Sequence, residues 1–208
     1  MREPIYKTRP VAPSPARIEA QRINDFIVMS EGYSNSYLIE TNEDNIQVNA
    51  GLGMEAAIHE QSYAPFSNKK VRYLIVTQGH PDHVGGVAYF RSKNPGMELI
   101  ATSGNQEHQT YERRLLPFRV ERSSFAFRQR NIDYFQWASE NSPDGVANQD
   151  FPIPDITFDE TYTLEYGGVR LELFAVPGAE TNDSLIICGT IFAAILPSLL
   201  MSDLDHDS

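Results

Sequence analysis

The clearest pattern along the chain is an alternation of apolar and other residues between positions 161 and 176. Apolar residues recur at every second position on both sides of Gly167-Gly168: Tyr162, Leu164, Tyr166, Val169, Leu171, Leu173 and Ala175. Successive side chains of a strand point to opposite faces, and a Gly-Gly pair suits a two-residue turn. The segment therefore predicts a β-hairpin.

A short and mostly apolar run, VRYLIVT at residues 71–77, is typical of a strand buried on both faces. A helical pattern follows Gly85-Gly86 and ends at Asn94-Pro95-Gly96, after which MELIAT (97–102) predicts another strand. This order predicts a βαβ unit, in which ligands gather at the carboxyl ends of the strands. Residues 34–53 predict two further strands joined by a polar turn.

The pattern becomes helical again over residues 103–130, with Ser103 or Asn105 as the N-cap and Pro117 as a break. Residues 141–156 are rich in turn formers and predict a long connecting loop. Strands, helices and a final hairpin in this order predict an α/β (α+β layered) domain, in which helices cover sheets.

Residues 184–201 contain no charged side chain over 18 positions, which is near the lower limit for a membrane span. Acidic residues flank the run without any basic anchor, and Gly189 and Pro197 interrupt it. We therefore interpret the run as two buried strands separated by a turn at Cys188-Gly189, in preference to a tail anchor.

The composition narrows the class of protein. The chain has 208 residues, enough for one domain with a substantial core, and its net charge of -11 argues against nucleic-acid binding. The single cysteine excludes an internal disulfide, and the first residues contain no apolar signal segment, so we expect a cytoplasmic protein that is not bound to a membrane. The predicted organisation is a flexible leader at 1–22, a folded domain at 23–201 and an acidic tail at 202–208.

Four residues with metal-binding chemistry, Gln78, His80, Asp82 and His83, follow the strand at 71–77. Imidazole nitrogens and a carboxylate suit Zn²⁺, or another borderline ion such as Fe²⁺ or Mn²⁺. We expect Gln78 and His80 to converge on one point, and Asp82 and His83 on a second. The alternative is a structural turn in which Asp82 caps the following helix. The residues alone leave both interpretations open.

The run TQGHPDHVGG (77–86) resembles the T-H-x-H-x-D-H-x-x-G signature of the metallo-β-lactamase superfamily. The residues at 49–51 resemble its D-T-G turn, and FAVPGAETNDS (174–184) resembles its later P-G-H-T turn, which carries another ligand. Glu180 in that turn is more similar to the alkyl sulfatase branch. The resemblance covers residues 32–187 and implies an αββα sandwich with one or two metals at the sheet edge.

Carried over to this chain, the resemblance implies that Gln78, His80 and Glu180 hold a first metal, while Asp82 and His83 hold a second. Zinc, as one or two ions, is the implied cofactor, with Fe or Mn as alternatives. A metal-activated water is the implied nucleophile, and Asp82 is the implied catalytic residue. We therefore expect a metal-dependent hydrolase of a small molecule, with an anionic ester such as an alkyl sulfate as the suggested class.

The sequence also departs from the family pattern. Gln78 stands where a histidine is expected, and an amide oxygen is a poorer zinc ligand. An acidic ligand on a later strand and a late histidine are expected beyond Glu180. Asp203, Asp205 and His206 at the C-terminus are candidate replacements, which we interpret as a solvated tail. The alternative function is therefore a degenerate or truncated family member that acts as a binding scaffold, with weak or no catalysis.

Two other histidines and a basic segment are the remaining candidates for functional residues. We interpret His59 as a surface or satisfied core residue and His108 as a surface residue of the predicted helix. Residues 111–130 contain six arginines and two glutamates, which favours a solvated amphipathic helix. The functional alternative for this segment is an arginine-lined mouth that attracts an anionic substrate.

Overall fold

The computed structural model describes residues 20–191, except residues 143, 145 and 146 and the side chains of 123–127, 130, 190 and 191. The predicted leader up to residue 19 and the predicted tail lie outside the described residues. The last two residues assigned to the leader, Gln21 and Arg22, form the first strand and pair with the next one. The folded part therefore includes the end of that segment.

The larger of two sheets contains seven strands in sequential order. They are β1 (Gln21–Arg22), β2 (Ile27–Ser30), β3 (Ser36–Ile39), β4 (Asn45–Val48), β5 (Val71–Ile75), β6 (Glu98–Thr102) and β7 (Ile156–Phe158). The pairs β1–β2, β2–β3 and β3–β4 are antiparallel, whereas the pairs β4–β5, β5–β6 and β6–β7 are parallel. The parallel half contains the predicted βαβ unit, so its carboxyl ends meet at one edge.

The smaller sheet is antiparallel, in the order β10-β9-β8. Its strands are β8 (Thr161–Tyr166), β9 (Val169–Ala175) and β10 (Leu185–Ile191). Strands β8 and β9 form the predicted hairpin, in which Tyr166 pairs with Val169 across the two-glycine turn. Both turn glycines have positive φ, 53° and 82°, which glycine adopts at little steric cost.

In the described part of the chain, four α-helices connect the strands: α1 (Ala56–Tyr63), α2 (Pro81–Val84), α3 (Val87–Lys93) and α4 (Asn105–Asn141). A short 3-10 helix at Gly53–Glu55 leads into α1. Helix α4 is anchored near its end, where Trp137 and Ala138 pack with Ile58 of α1. Within the described residues, no helix is both long and apolar enough to cross a membrane.

Two apolar layers lie on opposite faces of the large sheet. One layer packs the sheet against α1 and α3 and includes Val28, Leu74, Leu99, Val87 and Phe90. The other packs it against the small sheet and includes Ile46, Ile75, Ile100, Leu171 and Leu173. Helices, large sheet and small sheet therefore form three successive layers of the αββα metallo-β-lactamase-type sandwich predicted above. Within the described residues, no helix forms the fourth layer on the outer face of the small sheet, where Phe174 and Ile186 are exposed.

Two local predictions were wrong. Pro117 does not break the helix, because α4 continues from residue 105 to residue 141. A proline removes the bond to the carbonyl four residues earlier, and Arg113 is exposed, so water can satisfy that carbonyl. No turn occurs at Cys188-Gly189 either, since both residues lie inside β10 and pair with β9. Cys188 and Ile186 are exposed, so this strand is buried on one face only.

Candidate metal centre

The loop after β5 leads directly into α2, and this geometry positions the four clustered residues. His80 is the N-cap residue of α2, Pro81 is its first residue, and Asp82 and His83 follow within the first turn. Proline at the first helical position loses no hydrogen bond. Asp82 lies inside the helix and does not cap it, so the capping interpretation was wrong.

The turn at residues 49–51 holds this loop in place. Asn49, with φ of 58°, uses its side-chain oxygen to accept bonds from the Thr77 amide (3.0 Å) and hydroxyl (3.1 Å). The Ala50 amide donates to the His83 carbonyl at 2.8 Å. A Cβ atom on Gly86 would lie 2.4 Å from the Ala50 carbonyl oxygen, so only glycine fits this close approach. Two predicted motifs are thus packed against each other.

His83 is oriented by a hydroxyl group. Its Nδ1 lies 3.1 Å from the Thr77 hydroxyl oxygen. Because that hydroxyl can donate its only proton to the Asn49 oxygen, it can accept one from His83 Nδ1. The other ring nitrogen, Nε2, then presents a lone pair to the site. Burial lowers the pKa of His83, and this favours the neutral, ligand-competent form over the competing attraction of Asp82.

Gln78 lies between His83 and Glu180. Its Nε2 is 2.9 Å from His83 Nε2 and donates to Glu180 Oε2 at 3.1 Å. Its amide oxygen is buried and has no hydrogen-bond partner among the described residues. The amide N–H groups therefore occupy the space between a lone pair and a carboxylate, where the resemblance described above implies a cation.

The remaining predicted residues surround the same point. His80 Nδ1 lies 3.9 Å from Glu180 Oε1, and His83 Nε2 lies 3.6 Å from Asp82 Oδ2. All five predicted residues thus form one continuous cluster. The Glu180 side chain is 70% exposed, so it forms the open side of the cluster.

The prediction that His108 is a surface residue was wrong. Its side chain is only 16% exposed, and its ring centroid lies 5.0 Å from that of His80. Its Nε2 lies 3.8 Å from Glu112 on the next turn of α4, and its Nδ1 lies 3.7 Å from Asp183. The sequence contained one signal for this, because a His and a Glu four residues apart share a helix face. The proximity of Asp183 arises only from the fold.

His59 is a core residue, as predicted, but its Nε2 is buried without a hydrogen-bond partner among the described residues. It is fully buried, and its Nδ1 lies 2.7 Å from the Ser30 hydroxyl. Burial lowers its pKa to about 4. Glu55, one turn earlier, is also fully buried and accepts bonds from the Tyr33 amide, the Leu52 amide and the Tyr134 hydroxyl. Burial nevertheless raises its pKa to about 7, although the three donors oppose the change.

The basic segment 111–130 contributes one arginine to the surroundings of the site. Arg119 pairs with Glu112, which in turn faces His108. Other arginines lie over aromatic rings: Arg113 is 5.6 Å from the Phe151 centroid and Arg122 is 5.9 Å from that of Phe118. Most of the described arginine contacts are thus consistent with a solvated helix.

The family model of the metallo-beta-lactamase superfamily matches residues 29–190. The chain therefore belongs to this superfamily. Among curated proteins, it is 27% identical over 183 residues to ribonuclease J from Mycoplasma pneumoniae, an alignment covering 77% of this chain. The chain spans about a third (32%) of that protein's length.

Solved structures of the same fold include a metallo-beta-lactamase with an HARLDQ motif from Cronobacter sakazakii. It has a TM-score of 0.58 and 19% identity, and the match covers 83% of this chain and 58% of that one. The stereoselective inverting sec-alkylsulfatase Pisa1 from Pseudomonas sp. has a TM-score of 0.59 and 17% identity, with coverage of 82% and 29%. At these identities the likeness establishes the fold alone.

The donor set fits the divalent cation that the family implies. It contains two imidazoles and two carboxylates around one point, together with an amide whose oxygen is unpaired. Amide oxygen and nitrogen can exchange places by rotation of the Gln78 group. Rotation would turn the oxygen toward His83 and Glu180, where a bound cation would offset the repulsion between this oxygen and the Glu180 carboxylate.

Proposed function

We propose that the chain is a metal-dependent hydrolase that acts on a small-molecule substrate. The observation that supports this most directly is the convergence of His80, His83, Asp82 and Glu180, from two distant segments, at the carboxyl edge of β5. A divalent cation bound there supplies Lewis acidity toward a substrate oxygen and an activated water as nucleophile. Zn²⁺ suits these nitrogen and oxygen ligands best, and Fe²⁺ or Mn²⁺ would also be accepted.

The protein side chains have separate roles in this proposal. His83 offers Nε2, since Thr77 accepts the proton of its other nitrogen. Glu180 and His80 stand on the opposite side of the cluster and would complete the ligand set with Gln78. Asp82, at 3.6 Å from His83, is the proposed catalytic residue, because its carboxylate can orient the nucleophile and hold a proton during hydrolysis.

An anionic ester, such as an alkyl sulfate, is the substrate class that we propose. Glu180 in the later turn supports it, together with the structural likeness to the alkylsulfatase Pisa1. Arginines of segment 111–130 would attract the anion, since guanidinium groups match the geometry of sulfate oxygens. The net charge of -11 makes a nucleic-acid substrate the less favoured choice, despite the likeness to ribonuclease J. A cytoplasmic location remains part of the proposal.

The second candidate is a scaffold that binds ligands but has lost hydrolysis. The Gln78 amide favours it, because the amide protons already satisfy His83 and Glu180 without a cation. In this state Gln78 replaces the ion that would otherwise hold the two segments together. The fold would then remain stable while the site has little affinity for metal.

Metal content and turnover separate the two functions. The purified chain is loaded with Zn²⁺, dialysed, analysed for bound metal and assayed on sulfate, phosphate, lactone and thioester substrates. If the chain is a hydrolase, it should bind one or two equivalents of metal. Both the bound metal and the turnover should disappear when His80 and His83 are replaced by alanine. A chain that folds but stays metal-free in excess zinc would refute the hydrolase.

Two substitutions at residue 78 form a matched pair for the same question. Gln78→His restores the imidazole of the family signature and should raise zinc affinity by at least about tenfold, since imidazole is a better zinc ligand. Gln78→Ala removes the amide without adding a ligand and serves as the control. Equal affinities in both variants would show that residue 78 does not face the metal.

A further inference from the structure

We propose a second cation site, formed by His80, His108 and Glu112, at the wall between helix α4 and the loop after β5. One ligand atom from each of the three residues lies within 4.8 Å of the others. His108 and Glu112 belong to no ligand set that the family resemblance implies. The site would take Zn²⁺ or another borderline divalent ion, because it offers two imidazoles and one carboxylate.

The strongest support comes from two buried atoms without partners. The Glu112 residue is 4% exposed, and its Oε1 has no hydrogen-bond partner among the described residues. His108 Nε2 is likewise unpaired, and the two atoms face each other at 3.8 Å. Unsatisfied buried polar atoms are costly, so such a pair indicates that something binds between them.

Neighbouring side chains hold His108 Nε2 and Glu112 Oε1 in an orientation suited to binding a cation. Asp183 lies 3.7 Å from His108 Nδ1 and is itself fixed by Asn105 (2.8 Å) and Thr181 (2.7 Å). A carboxylate behind one ring nitrogen directs the other nitrogen toward a metal. Arg119 binds Oε2 of Glu112 and leaves Oε1 free for the cation.

The distances are close to what a metal requires. Ligand atoms of a tetrahedral zinc site lie about 3.4 Å apart, as follows from bonds of about 2.0–2.1 Å. The His108–Glu112 pair at 3.8 Å is near this value, and the largest separation, up to 4.8 Å, would have to shorten by about 1.4 Å. Rotation of His80 toward α4 would supply this movement, since its ring already lies 5.0 Å from that of His108. His80 would then serve this site, and the proposed hydrolytic centre would keep Gln78, Asp82, His83 and Glu180. Three protein ligands would leave a fourth position open.

The full chain is titrated with Co²⁺ as the only metal ion. Calorimetry measures the stoichiometry and affinity of binding, and visible absorption reports the coordination geometry. Glu112→Gln and His108→Gln should each remove one bound equivalent, or weaken it by at least about a hundredfold, because outer-shell changes alone cost 10 to 100-fold. Glu107→Gln is the matched control, since Glu107 is an exposed glutamate of the same helix. Circular dichroism verifies that each variant is folded.

Asp82→Asn distinguishes this proposal from the proposed hydrolase. This variant removes a ligand of the family site but leaves His108 and Glu112 intact, so it should retain the equivalent that Glu112→Gln loses. If both α4 variants bind Co²⁺ with the stoichiometry and affinity of the unmodified chain, the second site does not exist, whereas the hydrolase proposal is untouched. Loss of every equivalent in Asp82→Asn would also overturn the second site.

Discussion

Glu55 and His59 should make opposite contributions to the pH dependence of stability. Both are fully buried one turn apart, at the start of α1. Burial raises the pKa of Glu55 from 4.5 to about 7 and lowers the pKa of His59 from 6.5 to about 4. From pH 4.5 to 6.5 both side chains are neutral in the folded protein, whereas both are charged in the unfolded chain.

The magnitude follows from proton linkage. Each pKa moves by about 2.5, and a change of one corresponds to about 1.4 kcal/mol, so each group contributes about 3 kcal/mol. For Glu55 the contribution is complete below pH 4.5 and is lost as the pH rises through 7. For His59 it is complete above pH 6.5 and is lost as the pH falls through 4. From pH 4.5 to 6.5 the two slopes cancel.

Two substitutions separate the contributions of Glu55 and His59 to the pH dependence of the free energy of unfolding. Glu55→Gln keeps an oxygen for the Tyr33 amide and the Tyr134 hydroxyl but cannot titrate. His59→Asn keeps a polar atom near the Ser30 hydroxyl. The free energy of unfolding is measured with urea from pH 4 to 7.5 in the presence of a chelator, using Trp137 fluorescence and circular dichroism.

The stability of the unmodified chain relative to Glu55→Gln should fall by up to about 3 kcal/mol as the pH rises across this range. Relative to His59→Asn, it should rise by a similar amount. Other titrating groups cancel in each difference, because they are present in both proteins. If both differences are independent of pH, the folded-state pKa values are ordinary and the reasoning is refuted.

Three further substitutions test the packing and the site. Leu173→Ala removes a fully buried side chain between the two sheets and should cost about 2–5 kcal/mol in urea unfolding, whereas a loss below 1 kcal/mol would contradict the proposed core. Gly86→Ala places a methyl group 2.4 Å from the Ala50 carbonyl oxygen and should destabilise the fold by about 1–3 kcal/mol; unchanged stability would show that the contact is loose. Thr77→Val removes the acceptor of His83 Nδ1 and should weaken zinc binding by about 10 to 100-fold in calorimetry, with Thr110→Val on the exposed face of α4 as the control. Equal zinc affinity in the two threonine variants would exclude the proposed role of Thr77.

Elements with strong local signals were predictable. The hairpin β8–β9 follows from alternation and two glycines, and the βαβ unit follows from one apolar run and the helix stop at Asn94-Pro95-Gly96. Periodicity is a property of neighbours in sequence, so it is visible without the fold. Errors arose at Pro117 and Cys188-Gly189, where tertiary contacts and solvent access outweighed local propensity.

Part of the candidate site could also be predicted. The spacing of Gln78, His80, Asp82 and His83 indicated a cluster, because these residues are adjacent along the chain. Glu180 was predicted through the family resemblance, and the structure places it 3.1 Å from Gln78. The contact between Gln78 and His83 was not foreseen, since the conformation of the loop sets which side chains face each other.

The sequence by itself determined the strands, the hairpin and the residue types of the cluster, because each depends on periodicity or on spacing over a few positions. Only the tertiary structure brought Asp183 against His108 and the Tyr134 hydroxyl against Glu55. These contacts depend on how α4 and the turn after β9 pack against the sheet edge. Packing couples residues that are distant along the chain, and no local pattern encodes such distances.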